Sequence, residues 1–280
     1  MVLAAARFRK LYRAYEVKLI KLAFLAILTL YLIAVAAVFT LQRKMLYFPP
    51  NLYLTPTAVG VPQMVEIREG AGGWYAPPTQ PNGKVIMVFH GNGSAVYSNH
   101  DIFRDLMKNG YGVFSVSYPG YPGSEGQPSQ DGMVMAAKTQ YEWVLAQGIK
   151  PENIIFYGTS LGSGVAAQLA VKQQPSLIVM DAPFNSVLDM GRQIVRWLPV
   201  SLLMKDKWQS DKALKDLDVP LIWIHGTADR VIPISQGQKL YDGYNGPKFA
   251  HIIEGGQHTN LWFLGGRDIV LEALAASDTP

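Results

Sequence analysis

The chain has 280 residues, a hydrophobic fraction of 49%, no cysteine and a formal net charge of +4. That length suits one large domain or two small ones, and the missing cysteines exclude disulfides, thiolate metal sites and a cysteine nucleophile. In residues 1–21, Arg7, Arg9, Lys10, Arg13, Lys18 and Lys21 stand against Glu16 alone, and Arg43 and Lys44 follow, so residues 45–280 sum to −3 and nucleic-acid binding is set aside.

From Leu22 to Leu41 no residue is charged, and these 20 residues match the ~20 that a helix needs to cross a bilayer. A buried soluble helix would show a polar face somewhere, and this stretch has none. A cleaved signal peptide, with Ala34-Val35-Ala36 offered to the peptidase, would have an apolar core of only ~7–15 residues. The expectation is an uncleaved signal anchor over 22–41, preceded by a basic cytoplasmic tail at 1–21. The surplus of basic residues ahead of the span puts the N-terminus in the cytoplasm and residues 45–280 on the opposite side, in periplasm or lumen. Residues 42–62 run through Met45-Leu46-Tyr47-Phe48-Pro49-Pro50 to Val61-Pro62, a stiff aromatic and proline-rich connector at the membrane surface.

Residues 63–280 then read as one domain. Short edge strands are expected near Gln63–Arg68 and Gly73–Ala76. Apolar runs at Val85–Phe89, Val113–Ser117, Ile154–Tyr157, Leu177–Met180, Leu221–Ile224 and Phe249–Ile253 read as buried strands. Helices are expected at Tyr97–Lys108, Gln130–Ala146, Val165–Lys172, Ser235–Tyr244 and Leu261–Ala275. Apolar strands alternating with helices predict an α/β fold, a mostly parallel sheet with helices on both faces, whose functional groups gather at the strands' C-terminal ends. Between Asp181 and Pro220 the chain is longer than a tight crossover needs. Residues 183–218, with Met190, Trp197, Leu202 and Trp208, read as a small helical cap, the alternative being one long crossover helix packed on the sheet.

Gly158-Thr159-Ser160-Leu161-Gly162 follows the strand Asn153–Tyr157 and opens a helix, the pattern of a nucleophile elbow. A serine in such a turn presents its hydroxyl clear of the sheet, and the flanking positions must be glycine to avoid neighbouring backbone. The helix start adds a free Leu161 amide for developing negative charge. A second donor is expected from Phe89-His90-Gly91-Asn92-Gly93-Ser94, with Asn92 as the choice. The loop lacks both phosphate-binding glycine patterns. Asp229 stands in a turn beyond a strand, and His258 lies in the glycine-flanked loop after the last strand, giving the chain order Ser160, Asp229, His258. Asp181 also ends a strand and competes for the acid. His90 and His225 are expected to hydrogen-bond locally.

These motifs, together with His225-Gly226-Thr227-Ala228-Asp229-Arg230-Val231-Ile232-Pro233 and Gly256-Gln257-His258, resemble the α/β-hydrolase superfamily. The anchor, Leu46-Tyr47-Phe48-Pro49, Gly73-Trp74-Tyr75 and the run from Tyr118 to Gly126 are similar to the membrane-anchored abhydrolase-domain-containing protein 13 type. The resemblance spans roughly 22–275 and implies a serine hydrolase of the esterase, lipase or thioesterase kind, with Ser160, Asp229 and His258 catalytic and the Asn92 and Leu161 amides at the oxyanion. It implies no metal or organic cofactor. The expected partners are the membrane and an acyl ester or lipidated substrate, drawn by the cap from the membrane plane. A serine peptidase on the same fold and a non-catalytic scaffold are the alternatives.

Overall fold

The computed structural model describes residues 2–68, 72–80 and 83–277, with side chains from Arg9 onward. Parts of the expected tail (residue 1 and the Arg7 side chain) and of the expected 63–280 domain (residues 69–71, 81–82 and 278–280) lie outside the described residues.

Neither glycine nor proline interrupts residues 2–46, and they form one helix, α1 (Val2–Leu46). It ends just before Pro49-Pro50, where a proline disfavours helical geometry in the residue ahead of it. By length and composition, α1 is the one helix among the described residues able to cross a membrane. The connector that follows is docked rather than loose. Tyr47 and Val61 are buried, and Tyr97 donates its hydroxyl hydrogen to the Leu52 carbonyl at 2.9 Å.

Eight strands make one sheet: β1 (Val65–Glu66), β2 (Trp74–Ala76), β3 (Val85–Phe89), β4 (Gly112–Ser115), β5 (Ile154–Thr159), β6 (Leu177–Asp181), β7 (Leu221–Gly226) and β8 (Lys248–Ile253). Their order is β1-β2-β4-β3-β5-β6-β7-β8, antiparallel at the β1 and β2 edge and parallel from β4 to β8. The two-residue period of a strand sends Val85, Met87 and Phe89 to one face and Ile86 and Val88 to the other, and all five are buried. The helices α2 (His100–Lys108), α3 (Gln130–Ala146), α4 (Leu161–Ala170), α8 (Ile234–Gly243) and α9 (Gly266–Ala276) cover the sheet, as continuous apolar strands demand. The strand order reverses between β3 and β5, and Ser160 stands at the C-terminal end of β5, where such a fold opens a crevice.

The insertion carries three short helices, α5 (Val187–Ile194), α6 (Val200–Leu203) and α7 (Ser210–Leu214), rather than one long one. It divides its work. Leu188, Leu198 and Val200 pack with Val35 and Val38 of α1, while Trp208 and Leu214 join the main core. The expected helix Leu261–Ala275 is broken: Leu261–Leu264 forms a 3₁₀ turn, Gly265 follows at φ +112°, and α9 begins only at Gly266. A glycine pair favours such a break, since glycine alone takes positive φ freely.

Candidate active site

Ser160 joins β5 to α4 with φ 53° and ψ −119°, a backbone shape that carries on the order of 1–3 kcal/mol of strain for a residue with a side chain. Its neighbours show why the turn holds. A Cβ at Gly158 would meet Gly162 O at 2.7 Å, and one at Gly162 would collide with the Phe89 carbonyl. The Ser160 amide donates to the Asp181 carbonyl at 3.0 Å, fixing the elbow against β6.

The loop after β8 brings His258 to this serine. His258 Nε2 lies 3.0 Å from Ser160 Oγ, and His258 Nδ1 lies 2.7 Å from Asp229 Oδ2. An ionised Asp229 makes Nδ1 the protonated nitrogen and leaves Nε2 to accept from the serine hydroxyl. Asp229 is itself held rigidly, since its Oδ1 accepts from the Val231 amide at 2.8 Å and the Ile232 amide at 2.9 Å. His225 was missed as a neighbour of this carboxylate. Its Nδ1 accepts from Trp223 Nε1 at 3.2 Å, so Nε2 carries hydrogen toward the Ile232 carbonyl at 3.0 Å, and it lies 3.4 Å from Asp229 Oδ2. Burial lowers the His225 pKa and favours the neutral ring.

Asp181, the competing acid, is engaged elsewhere. Its Oδ2 accepts from the Tyr157 hydroxyl at 2.7 Å, and burial pushes its carboxyl pKa up to about 6. His90 donates from Nδ1 to the Gly91 carbonyl at 2.9 Å, its ring lies tilted by 41° with its centroid 4.2 Å from that of Tyr118, and burial lowers its pKa to about 4. Both His90 and His225 thus shape loops through local hydrogen bonds.

The Asn92 and Leu161 residues flank Ser160 at the base of one cavity. The Asn92 amide N–H has no acceptor among the described residues. Its side chain does something the sequence did not signal. Asn92 Nδ2 donates to the Leu46 carbonyl at 2.6 Å, while Oδ1 accepts from the Phe48 amide at 3.0 Å and the Tyr121 hydroxyl at 2.8 Å. The loop beside Ser160 is therefore tied to the end of α1.

Two cavities meet at Ser160. One, about 380 Å³, rises between α1 and the insertion and is lined almost wholly by apolar side chains. The other, about 530 Å³, opens on the His258 side with Ser94, Ser98, Asn99, Asp101, Thr159 and Asp181 in its walls and, among the described residues, no lysine or arginine. Among the described residues no group of three histidines and carboxylates is arranged to hold a metal.

Residues 84–208 match the family described as the alpha/beta hydrolase fold. The chain is 31% identical over 242 residues to an uncharacterized protein of Mycobacterium tuberculosis, spanning 83% of this chain and 85% of that one. It is 29% identical over 189 residues to the lysophosphatidylserine lipase ABHD12 of Danio rerio, covering 60% of this chain and 49% of the lipase. Among solved structures, the Pyrococcus furiosus esterase Pf2001 superposes with a TM-score of 0.61 at 18% identity, over 81% of this chain and 95% of the esterase.

Proposed function

The chain belongs to the α/β-hydrolase superfamily, and from that premise we propose that it is a membrane-anchored serine hydrolase cleaving carboxylic esters or thioesters. The observation that carries the reading is the hydrogen-bonded chain Ser160 Oγ–His258 Nε2, His258 Nδ1–Asp229 Oδ2. Its lipase and esterase relatives point the same way.

In the proposed cycle Ser160 Oγ attacks the acyl carbonyl carbon while its proton passes to His258 Nε2. The carbonyl electrons move onto oxygen, opposite the Leu161 amide at the start of α4 and the Asn92 amide, two donors placed where charge develops. The intermediate collapses, and the alcohol or thiol leaves with the proton from His258. Water then repeats the sequence on the acyl-serine, releasing the carboxylic acid and restoring Ser160. Asp229 keeps the ring in the tautomer this requires and stabilises the imidazolium. α1 is read as a single-pass anchor, with residues 22–41 as its span, the basic tail 1–21 cytoplasmic, and the connector 42–62 and the 63–280 domain on the other side.

The test is labelling by a fluorophosphonate probe together with hydrolysis of p-nitrophenyl butyrate. Both are expected of the unaltered protein and neither of Ser160→Ala. A folded Ser160→Ala protein with appreciable turnover would dismiss the mechanism.

A further inference from the structure

The apolar cavity above Ser160 is only half built from the hydrolase domain. Val38, Phe39, Gln42, Met45 and Leu46 of α1 form one wall, and the insertion forms the wall that faces it. The two walls are locked together along the helix. Arg43 makes a bidentate pair with the buried Asp206 at 2.8 and 3.1 Å. Gln42 donates to the Leu203 carbonyl at 3.1 Å and accepts from the Lys205 amide at 2.7 Å. The Lys205 ammonium stands 4.2 Å over the Phe39 ring, and Tyr31 donates to the Trp197 carbonyl at 3.3 Å. Positions 31, 35, 38 and 42 recur at the spacing of one helix face.

This contact reaches far into the apolar run. Residues 22–30, the part of the run ahead of the Tyr31 contact with the insertion, make ~14 Å of helix at ~1.5 Å per residue, short of the ~30 Å hydrocarbon core of a bilayer. The remainder of the crossing must be made where the insertion flanks α1. The insertion is suited to it, with Ile194, Trp197 and Leu202 exposed at 77, 57 and 84%. Arg192 and Arg196 are exposed in the same stretch and can carry their charges to the head groups.

We propose that the anchor helix is itself part of the acyl-binding site: the substrate is a long-chain acyl lipid of the adjoining leaflet, whose chain slides laterally between α1 and the immersed insertion until its carbonyl meets Ser160. The inference rests on the hydrolase reading above and adds that α1 sets the chain length accepted.

The test uses the full chain in phosphatidylcholine vesicles and a series of p-nitrophenyl esters from butyrate to palmitate, each rate divided by the fraction of protein labelled by fluorophosphonate. Val38→Trp is expected to lower the palmitate-to-butyrate ratio at least tenfold, and Val38→Ala to move the preferred chain to greater length. Ile33→Trp, on the exposed opposite side of α1, is the control and is expected to keep the ratio of the unaltered protein. An unchanged ratio in both Val38 variants, or an equal fall in Ile33→Trp, overturns the proposal while leaving the hydrolase standing. Absence of labelling and of butyrate turnover in the unaltered protein overturns the hydrolase reading and this inference with it.

Discussion

The side-chain amide of Asn92 donates to the backbone carbonyl of Leu46 at 2.6 Å, so the last turn of α1 and the loop beside Ser160 share a hydrogen bond. Asn92→Ala keeps the backbone N–H but frees Leu46, Phe48 and Tyr121. Losing an oxyanion donor outright lowers turnover about 10²–10³-fold. Asn92→Ala is expected to lose less than that, roughly tenfold in kcat on short and long esters alike, with labelling by fluorophosphonate retained. Steady-state kinetics on butyrate and palmitate esters checks it, and an unaltered kcat would remove the Asn92 side chain from any role in positioning the loop.

The strained backbone at Ser160 makes a stability prediction separate from activity. Ser160→Gly should melt at a higher temperature than Ser160→Ala, because glycine accepts φ 53° without the Cβ clash. The difference expected is about 0.5–1 kcal/mol, read by thermal unfolding of the two inactive variants.

Asp229 and Asp181 separate by kinetics. Asp229→Asn should lower turnover about 10⁴-fold, the loss typical when the orienting carboxylate is neutralised. Asp181→Asn should leave most of the activity in place. If the two losses were reversed, with the melting temperature of Asp181→Asn unchanged, the proposed assignment of the acid would fall.

The same Asp181 gives a pH signature. Its carboxyl holds its proton up to about 6 when folded, against 3.8 as the ordinary value. The folded state therefore binds more protons than the unfolded state across that window. This contribution to stability is complete below the unfolded value and is lost as pH rises through about 6. The loss amounts to about 3 kcal/mol at ~1.4 kcal/mol per unit. Melting curves from pH 4 to 7 should show the decline in the unaltered protein and a flatter profile in Asp181→Asn. Parallel profiles would mean the buried carboxyl is not perturbed.

The cavity on the His258 side bears on the leaving group. Among the described residues no lysine or arginine lines it, Asp101 and Asp181 do, and the nearby Arg104 is paired with Asp101 at 2.7 Å. An uncompensated phosphate is poorly accommodated beside carboxylates. A monoacylglycerol should thus outperform a lysophosphatidylserine of the same acyl chain by about tenfold in kcat/KM, ~1.4 kcal/mol of discrimination. A preference for the anionic lipid would show that a cation outside this wall reads the head group.

Much of this was legible in the sequence because it is enforced locally. The period-two burial of Val85–Phe89 and the close approach of Gly158 to Gly162 and Ser163 in the turn at Ser160 depend on neighbours within a strand or turn. What escaped depends on partners far apart in the chain. Nothing near Asn92 announces Leu46, and Gln42 with Arg43 looks like a polar end to an apolar run until Leu203 and Asp206 stand beside it. The break at Gly265 was visible in the letters, since Gly265-Gly266 interrupts the run expected as one helix. The early start of α4 was hidden by Gly162 and Gly164, poor helix formers kept there by close packing on Phe89, Phe184 and Trp208.

α1 is one unbroken helix joined to the insertion from Tyr31 to Arg43, by the Tyr31 hydroxyl on the Trp197 carbonyl at one end and the Arg43–Asp206 pair at the other, so a rotation of the helix is transmitted through these contacts. A helix answers a thicker or thinner bilayer by changing its tilt. With α1 as the proposed anchor, any such tilt would swing Ser160 and both cavities relative to the lipid plane. Under the proposed anchoring and activity, membrane thickness would become a control on catalysis, and the same molecule would run at different speeds in sterol-rich, short-chain or fluid membranes without any change in its chemistry.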